Sequence, residues 1–357
     1  MKSNYDILGN HIRLIDTRNR ESITDRVLGI NIDKFFMPSV ANVIGTDLSK
    51  YKLITKGKFA CNPMHVGRDE RLPVALYDEE EPAIVSPAYF MFEVVDNSIL
   101  NEDYLMMWFR RPEFDRICWL HTDGSVRGGI TWDDICRLEL PIPPIENQLE
   151  IVNSYKAITE RIALKQKIND NLDDTAQTLY QKYFESNSDK SSWKQGTVGD
   201  VLQLQRGHDL PRTEMTGGKY PVAGSTGTIG YHDEFTAEAP VIVMGRSGNI
   251  GNPRLYLCNC WTHNTSLYVK QIYEAEPLWV FYLLKNLNYD GFVGGSAVPT
   301  LNRNDVHAYG IAIPPLELQK SFSQKVMSLI YCKEENLSEI EKLQKLQKII
   351  LTTMSSR

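Results

Sequence analysis

Two stretches of this chain repeat each other at a constant distance, and that repeat limits the possible folds more than any other feature. Leu140-Pro-Ile-Pro-Pro-Ile-Glu-Asn-Gln148 recurs as Ile311-Ala-Ile-Pro-Pro-Leu-Glu-Leu-Gln319, so Pro143 falls on Pro314 and Gln148 on Gln319, a shift of 171 residues. The same shift lays Ile130-Thr-Trp-Asp-Asp-Ile135 on Leu301-Asn-Arg-Asn-Asp-Val306 and carries the long segment after Gln148 onto the one after Gln319. Upstream the identities fade but the order of features persists. Tyr89–Val94 and Ser266–Val269 both read as strands, and Asp103–Phe109 and Pro277–Leu283 as the helices that follow. The chain is therefore two copies of one unit, each a globular module followed by a helix.

The two helices have a legible seam. Ile151, Tyr155, Ile158, Ile162, Leu172, Ala176, Leu179 and Tyr183 follow 4-3 spacing, interrupted by Lys165 and Asn169. A shift of 171 gives Phe322, Val326, Leu329, Ile340, Leu343, Ile350 and Met354, interrupted by Lys333, Asn336 and Gln347. Such a stripe, about 60 Å long at 1.5 Å per residue, is stable when it is covered, and polar residues inside it set register at some cost in stability. Each helix is expected to cover the other. Antiparallel packing would place the modules at opposite ends and parallel packing side by side; the pattern permits both.

Local signals mark the boundaries. Pro143-Pro144 and Pro314-Pro315 cannot continue a helix, and Glu146 and Glu317 then fall in a first turn, where a carboxylate suits the positive helix end. Thr131–Asp134 and Asn302–Asp305 read as N-caps of a short helix just upstream. The small polar run Ser186–Ser192 reads as a linker. The expected division is 1–145 (first module), 146–187 (central helix), 188–192 (linker), 193–316 (second module) and 317–357 (C-terminal helix). Short runs such as Phe90–Phe92, Val241–Met244 and Leu255–Leu257 alternate with Gly, Pro and Asn turns and a few helices, so the fold class is α+β rather than a doubly wound sheet.

Composition removes several classes. The N-terminus, Met1–Asp6, has no apolar segment of the signal-peptide kind, and the longest apolar run, Leu278–Leu284, is far short of the roughly 20 residues of a membrane helix. A soluble, cytoplasmic protein without a membrane partner is expected. Six scattered cysteines do not form a disulfide framework, and Cys258-Asn-Cys260 with His263 lacks the further ligand pair of a zinc site. The net charge of −6 and pI near 5.7 argue against a simple basic DNA binder, although charge can be segregated onto one face or supplied by a partner.

Two glycine triplets, Gly224-Ser-Thr-Gly-Thr-Ile-Gly230 and Gly245-Arg-Ser-Gly-Asn-Ile-Gly251, match neither a dinucleotide fingerprint nor a P-loop. Glycine lets backbone approach a ligand closely, and Ser225, Thr226, Arg246, Ser247 and Asn249 between them are types that bond phosphates and base edges. Plain hairpin turns would also account for them. Other candidates on polar loops are Arg206, His208, Arg212, Asn264 and Ser296 in the second module, and Arg18, Asn19, Lys34, Asn62, His65, Arg68 and Arg127 in the first. No metalloprotease, nucleophile-elbow or kinase signature is present. Asn62-Pro-Met-His65 lacks the second proline and the aromatic of an adenine-methyltransferase motif, and Asp133-Asp134 is explained by capping. No catalytic, cofactor or metal residue is assigned.

With the duplicated Ile142–Gln148 and Ile313–Gln319 motifs, the Lys219–His232 segment and the Asn31–Gly67 region in view, nearly the whole sequence resembles the specificity subunit of Type I restriction-modification systems. The resemblance implies two target-recognition domains, each reading half of a bipartite, asymmetric site in double-stranded DNA. It implies an antiparallel pair of coiled-coil helices, related by a pseudo-twofold axis, as the spacer between them. It implies two docking methylation subunits that carry S-adenosylmethionine, and motor-nuclease subunits that carry ATP and magnesium. The chain itself would be a non-catalytic part of an adenine-N6 methyltransferase and ATP-dependent endonuclease. The alternative from another class is a coiled-coil scaffold with protein-binding modules.

Overall fold

A computed structural model of the chain describes residues 4–64, 66–122, 128–289, 292–294 and 300–354. The chain divides into two compact units, Met1–Leu164 with Glu339–Arg357, and Lys165–Ser338. The division runs through the long helices rather than at their ends. Val152 and Met354 are buried in the core of the first unit, and Ala176, Tyr180, Phe322 and Val326 in that of the second.

In the first unit the strands are β1 (Tyr5–Ile7), β2 (Ile12–Ile15), β3 (Val27–Ile30), β4 (Phe36–Pro38), β5 (Lys52–Ile54), β6 (Phe59–Cys61), β7 (Val74–Leu76), β8 (Ala83–Val85), β9 (Phe90–Val94) and β10 (Glu139–Pro141). They pair as β2-β9-β6-β7, as β4-β3-β8-β5 and as β1-β10. Residues alternate faces along a strand, and here both faces are covered. Phe59, Cys61 and Phe92 join one core, whereas Ala60 and Met91 between them join another. The helices are α1 (Val66–Asp69), α2 (Glu102–Phe109), α3 (Pro112–Leu120) and α4 (Trp132–Cys136). Every residue of α2 from Tyr104 to Phe109 is buried, as expected for a helix apolar all round, and the Asn101 side chain caps it by accepting from the Tyr104 N–H at 3.0 Å.

The first unit also holds the start of α5 (Ile145–Tyr180), and α5 continues into the second. There follow β11 (Lys194–Thr197), β12 (Leu202–Arg206), β13 (Tyr220–Gly224), β14 (Gly227–His232), β15 (Val241–Gly245), β16 (Gly251–Tyr256), β17 (Trp261–Thr262), β18 (Ser266–Ile272), α6 (Pro277–Lys285), β19 (Val293–Gly294), β20 (Thr300–Leu301), α7 (Arg303–His307), β21 (Gly310–Ile313) and α8 (Leu316–Thr353). Strand orders are β12-β18-β15-β16, β14-β13-β17, β19-β20 and β11-β21. The module plan of the first unit therefore recurs. A first strand pairs antiparallel with the strand before the Pro-Pro turn (β1 with β10, β11 with β21), and the next strand enters a four-stranded sheet beside its last member. The duplication is thus present in the topology where residue identities have faded. The run read as a linker forms a 3-10 turn, Ser188–Ser192, capped by the Asn187 side chain on the Asp189 N–H at 2.9 Å.

The repeated glutamine explains the repeated motif. Gln148 Nε2 donates to the Ile99 and Pro143 carbonyls, both at 2.8 Å, and its Oε1 accepts from the Asn101 N–H at 2.9 Å. Gln319 Nε2 donates to the Pro314 carbonyl and its Oε1 accepts from the Glu276 N–H, both at 2.9 Å. Asn101 and Glu276 are the N-cap residues of α2 and α6, so each buried glutamine ties the module's apolar helix to the entry of the long one.

Within each unit the long helices run antiparallel. In the first, Arg161 Nε meets Glu339 Oε1 at 2.6 Å and Gln347 Nε2 donates to Thr159 Oγ1 at 2.7 Å, with Ile151 and Tyr155 in the same core as Ile350 and Met354. In the second, Lys165 meets Asn336, Lys333 meets Asp173 at 2.5 Å, and Tyr180 packs on Phe322. Ile162, Phe322, Val326 and Ile340 are buried; Ile158, Leu172, Leu179, Leu329 and Leu343 are half-buried.

Candidate nucleic-acid interface

In the second unit, strand ends bring four loops together. Gly207 allows the chain after β12 to lie against the loop before β18: a Cβ there would stand 2.2 Å from the His263 carbonyl oxygen. Gly245 does the same for the β15–β16 turn, where a Cβ would meet the Asn249 carbonyl oxygen at 1.5 Å. The third residue of that turn, Gly248, has φ +78°, a left-handed conformation natural to glycine.

Hydrogen bonds then stitch these loops to the β13–β14 turn. Arg246 N donates to Thr265 O at 3.0 Å, its guanidinium to Asn264 O at 3.3 Å, and Asn249 Nδ2 to Ser225 O at 3.2 Å. His263 Nε2 lies 3.2 Å from the Leu210 carbonyl, which can only accept, so in the neutral ring Nε2 carries the proton and Nδ1 accepts from Thr265 Oγ1 at 2.9 Å. Thr265 Oγ1 in turn accepts from Ser225 N at 3.4 Å.

The outcome is a hydrogen-bonded rim on which Arg206, His208 and Thr226 are exposed and Ser225, Arg246, Ser247 and Asn264 half-buried; Arg212 is exposed in a 3-10 turn further along the chain after β12. Arg206 lies 3.7 Å from Asp209, which also accepts from the Asn264 amide. Asn249 is a brace: its Oδ1 accepts from Asn252 Nδ2 at 2.8 Å while its own amide serves Ser225. Arg254, exposed on β16 and close to Gly227, adds a cation that sequence reasoning missed because it sits in a strand rather than in a loop.

The first unit places its candidates differently. Asn19 is only 1% exposed; its amide donates to the Thr24 carbonyl at 2.8 Å and its Oδ1 accepts from the Thr24 N–H at 3.4 Å. Lys34 is 5% exposed, with Nζ 2.7 Å from Asp115 Oδ1, bonded to the Phe109 carbonyl and lying over the Phe114 ring. Burial pushes its pKa down against the opposing pull of Asp115. Both residues were expected on a DNA-facing surface. Both instead satisfy internal polar groups, because a polar type within a loop does not reveal which way the side chain turns.

Arg18 is half-buried, bonded to the Lys50 carbonyl at 2.7 Å and to Asp16. Asn62 is half-buried and accepts from the Met64 N–H at 3.2 Å; Arg68 is exposed and paired with Asp69 at 2.6 Å. His65, Arg127 and Ser296 lie outside the described residues. Arg20 and Lys50, which join Arg18 and Ser49 around a shallow concavity of about 250 Å³, were not anticipated.

Among the described residues no helix is long and apolar enough to cross a membrane. Two α+β modules, each closed by a Pro-Pro turn into a long helix, define a duplicated architecture, and in the second module glycine-built loops present arginine and hydroxyl side chains. Residues 190–349 match the family described as Type I restriction modification DNA specificity domain. The chain is 22% identical over 396 aligned positions to the putative type I restriction enzyme MjaX specificity subunit of Methanocaldococcus jannaschii, covering 98% of this chain and 88% of that one. It is 24% identical over 191 positions to the type I restriction enzyme HindI specificity subunit of Haemophilus influenzae, covering 53% and 40%. Its fold resembles the crystal structure of the type I restriction-modification S subunit from M. genitalium, with a TM-score of 0.62 at 16% identity over 99% of this chain and 96% of that one. A chain from a study of complex assembly and conformational transition of the type I R-M system gives 0.51 at 16% identity, covering 98% and 96%. Residues 190–349 thus match a DNA specificity domain, and along nearly its whole length the chain is similar to type I restriction-modification specificity subunits in sequence and fold.

Proposed function

We propose that this chain is the non-catalytic reading subunit of a type I complex, in which each module reads one half of a bipartite, asymmetric site in double-stranded DNA. The two modules differ strongly in residue identity, so the two half-sites differ. The long helices act as spacer and as the docking face for methylation subunits. Those subunits carry S-adenosylmethionine for adenine-N6 transfer, and motor-nuclease subunits, where they join, carry ATP and magnesium.

The observation that carries this reading is the loop cluster of the second unit. Three loops, tied to the β13–β14 turn as a fourth, present Arg206, His208, Arg246 and Asn264 on a glycine-built rim. Arginine bonds guanine O6 and N7, or a phosphate, with a forked geometry, and hydroxyl and amide groups bond base edges. With a net charge of −6, the chain is expected to bind DNA tightly only together with its methylation partner, which supplies further phosphate contacts.

The test is long-read mapping of methylated adenines in cells with and without this chain, alongside selection from randomised duplexes by the purified complex. One bipartite motif whose methylation disappears on deletion is the expected result. A complex that shows no preference among duplexes overturns the proposal and favours a coiled-coil scaffold with protein-binding modules.

A further inference from the structure

Resting on that reading, we infer that the reading element of the first module is the loop from Ser39 to Asp47, and that Val40 and Ile44 contact thymine methyl groups in the major groove. This loop carries none of the residues singled out above as DNA candidates. Its two branched aliphatic side chains are 92% and 91% exposed, the highest values among the exposed large apolar residues of the described chain. Single exposed apolar residues are ordinary on a protein surface, but two nearly fully exposed ones four residues apart in one loop give that loop the apolar contacts a groove-inserting element needs.

The loop holds its shape by local bonds. Ser39 Oγ accepts from the Ala41 N–H at 3.2 Å, Asn42 Oδ1 from the Ile44 N–H at 3.0 Å, and Val43 O from the Thr46 N–H at 3.0 Å. Gly45, at φ +76°, completes the turn. The base is tied down at both ends, by Ser39 N on Val27 O at 3.0 Å and by the Asn19 amide on Leu48 O at 3.4 Å. The buried Asn19 thus acts behind the loop as a positioning residue.

Charge tells which polymer meets this loop. Ile44 stands four residues before Leu48, within about 14 Å of it along the chain. The turn Leu48–Lys50 joins Arg18 and Arg20 in the concavity that opens beside it. Arg20 and Lys50 are exposed and can meet phosphates while the apolar tip enters the groove. An A·T pair offers there a thymine C5-methyl beside adenine N7 and the N6 amino group. Val40 and Ile44 match the methyl group, and the Asn42 Nδ2 between them in sequence, whose Oδ1 partner already accepts from the Ile44 N–H, can donate to adenine N7.

The experiment uses the full chain co-purified with its methylation partner and the duplex motif recovered by selection. Each thymine of the two half-sites is replaced in turn by deoxyuridine, which removes only the methyl group. In one half-site, replacement weakens binding by about threefold to fourfold, the worth of one buried methyl. The V40S/I44S complex binds the thymine duplex correspondingly less well and no longer distinguishes thymine from deoxyuridine. A complex that still selects its motif but responds identically with and without the substitutions overturns this inference alone. Loss of partner from V40S/I44S with DNA selectivity retained also overturns it, and assigns the loop to a protein contact. Absence of any motif in the unsubstituted complex removes the proposed function as well.

Discussion

Lys165 Nζ donates to Asn336 Oδ1 at 2.8 Å, and these two residues occupy the same position in the two copies of the repeat, 171 apart. Equivalent positions meet in a parallel pair as well, but there the residue numbers of both helices rise together; here Lys165 meets Asn336, Asp173 meets Lys333 and Tyr180 meets Phe322, so numbers on α8 fall as those on α5 rise. The seam pattern alone permitted parallel packing too. That order decides for antiparallel packing, and beside the Lys165 bond the Asn336 amide donates to Asn169 Oδ1 at 2.9 Å.

The asparagine pair makes a first prediction. Asn169 and Asn336 are both buried, so N336A leaves the Asn169 carbonyl without that donor and lowers unfolding free energy by about 1 to 3 kcal/mol in urea titration. The double change N169L/N336L removes both partners and recovers most of that loss. If N336A and the double variant unfold at the same urea concentration, the pair is not a buried polar contact.

Lys34 separates two roles that its residue type confounds. Substitution K34M strips Asp115 of its buried partner and is expected to cost about 3 kcal/mol, since breaking a buried pair strands the remaining charge. Motif selection by the refolded complex should be unchanged. A clear change in sequence preference with unaltered thermal stability would return Lys34 to the DNA surface.

Arg206 and Arg246 sit on the rim of the second module, one exposed and one half-buried. Each alanine substitution should weaken cognate binding. Where the arginine meets a phosphate, its removal lowers the salt slope of log Kd by about 0.9. Where it meets a base edge, its removal relaxes one position of the motif by about 1 to 3 kcal/mol. Binding isotherms at several salt concentrations on cognate and single-mismatch duplexes distinguish the two.

His307 gives the protein a pH dependence. Its Nε2 accepts from the Leu204 N–H at 2.8 Å, and burial, assisted by the charge of Arg303, holds its pKa below the ordinary value of 6.5. The neutral ring is therefore favoured in the folded state. Its contribution is fully present above the unfolded pKa and fades as pH falls through the folded one. Unfolding midpoints should fall between about pH 7.5 and about pH 5.5, and should do so less in H307Q. Equal slopes for both proteins would dissociate His307 from the effect.

Much of the architecture was legible because it is periodic or punctuated. The 4-3 stripe, the Pro-Pro turns and the Thr131 and Asn302 caps are local codes, and each acts where it is written. The α2 and α6 helices declared themselves by unbroken apolar runs. Directions of loop side chains were not legible. Asn19 and Arg20 are adjacent and equally polar, yet one is inside and the other out. Val40 and Ile44 look like strand residues in sequence, and their exposure depends on where β4 ends and the Leu48 turn is anchored.

What the residues determined unaided is the duplication and its consequence: two modules, two long amphipathic helices, and a glutamine at the head of each. Those follow from periodicity and from short-range bonds, which need no knowledge of distant chain. The tertiary structure alone decided the sense of the helix pair, the gathering of Ser225, Arg246 and Asn264 on one rim, and the inward turn of Asn19 and Lys34. Each of these depends on contacts between residues far apart in the chain, and which groups are buried is settled only when those contacts close.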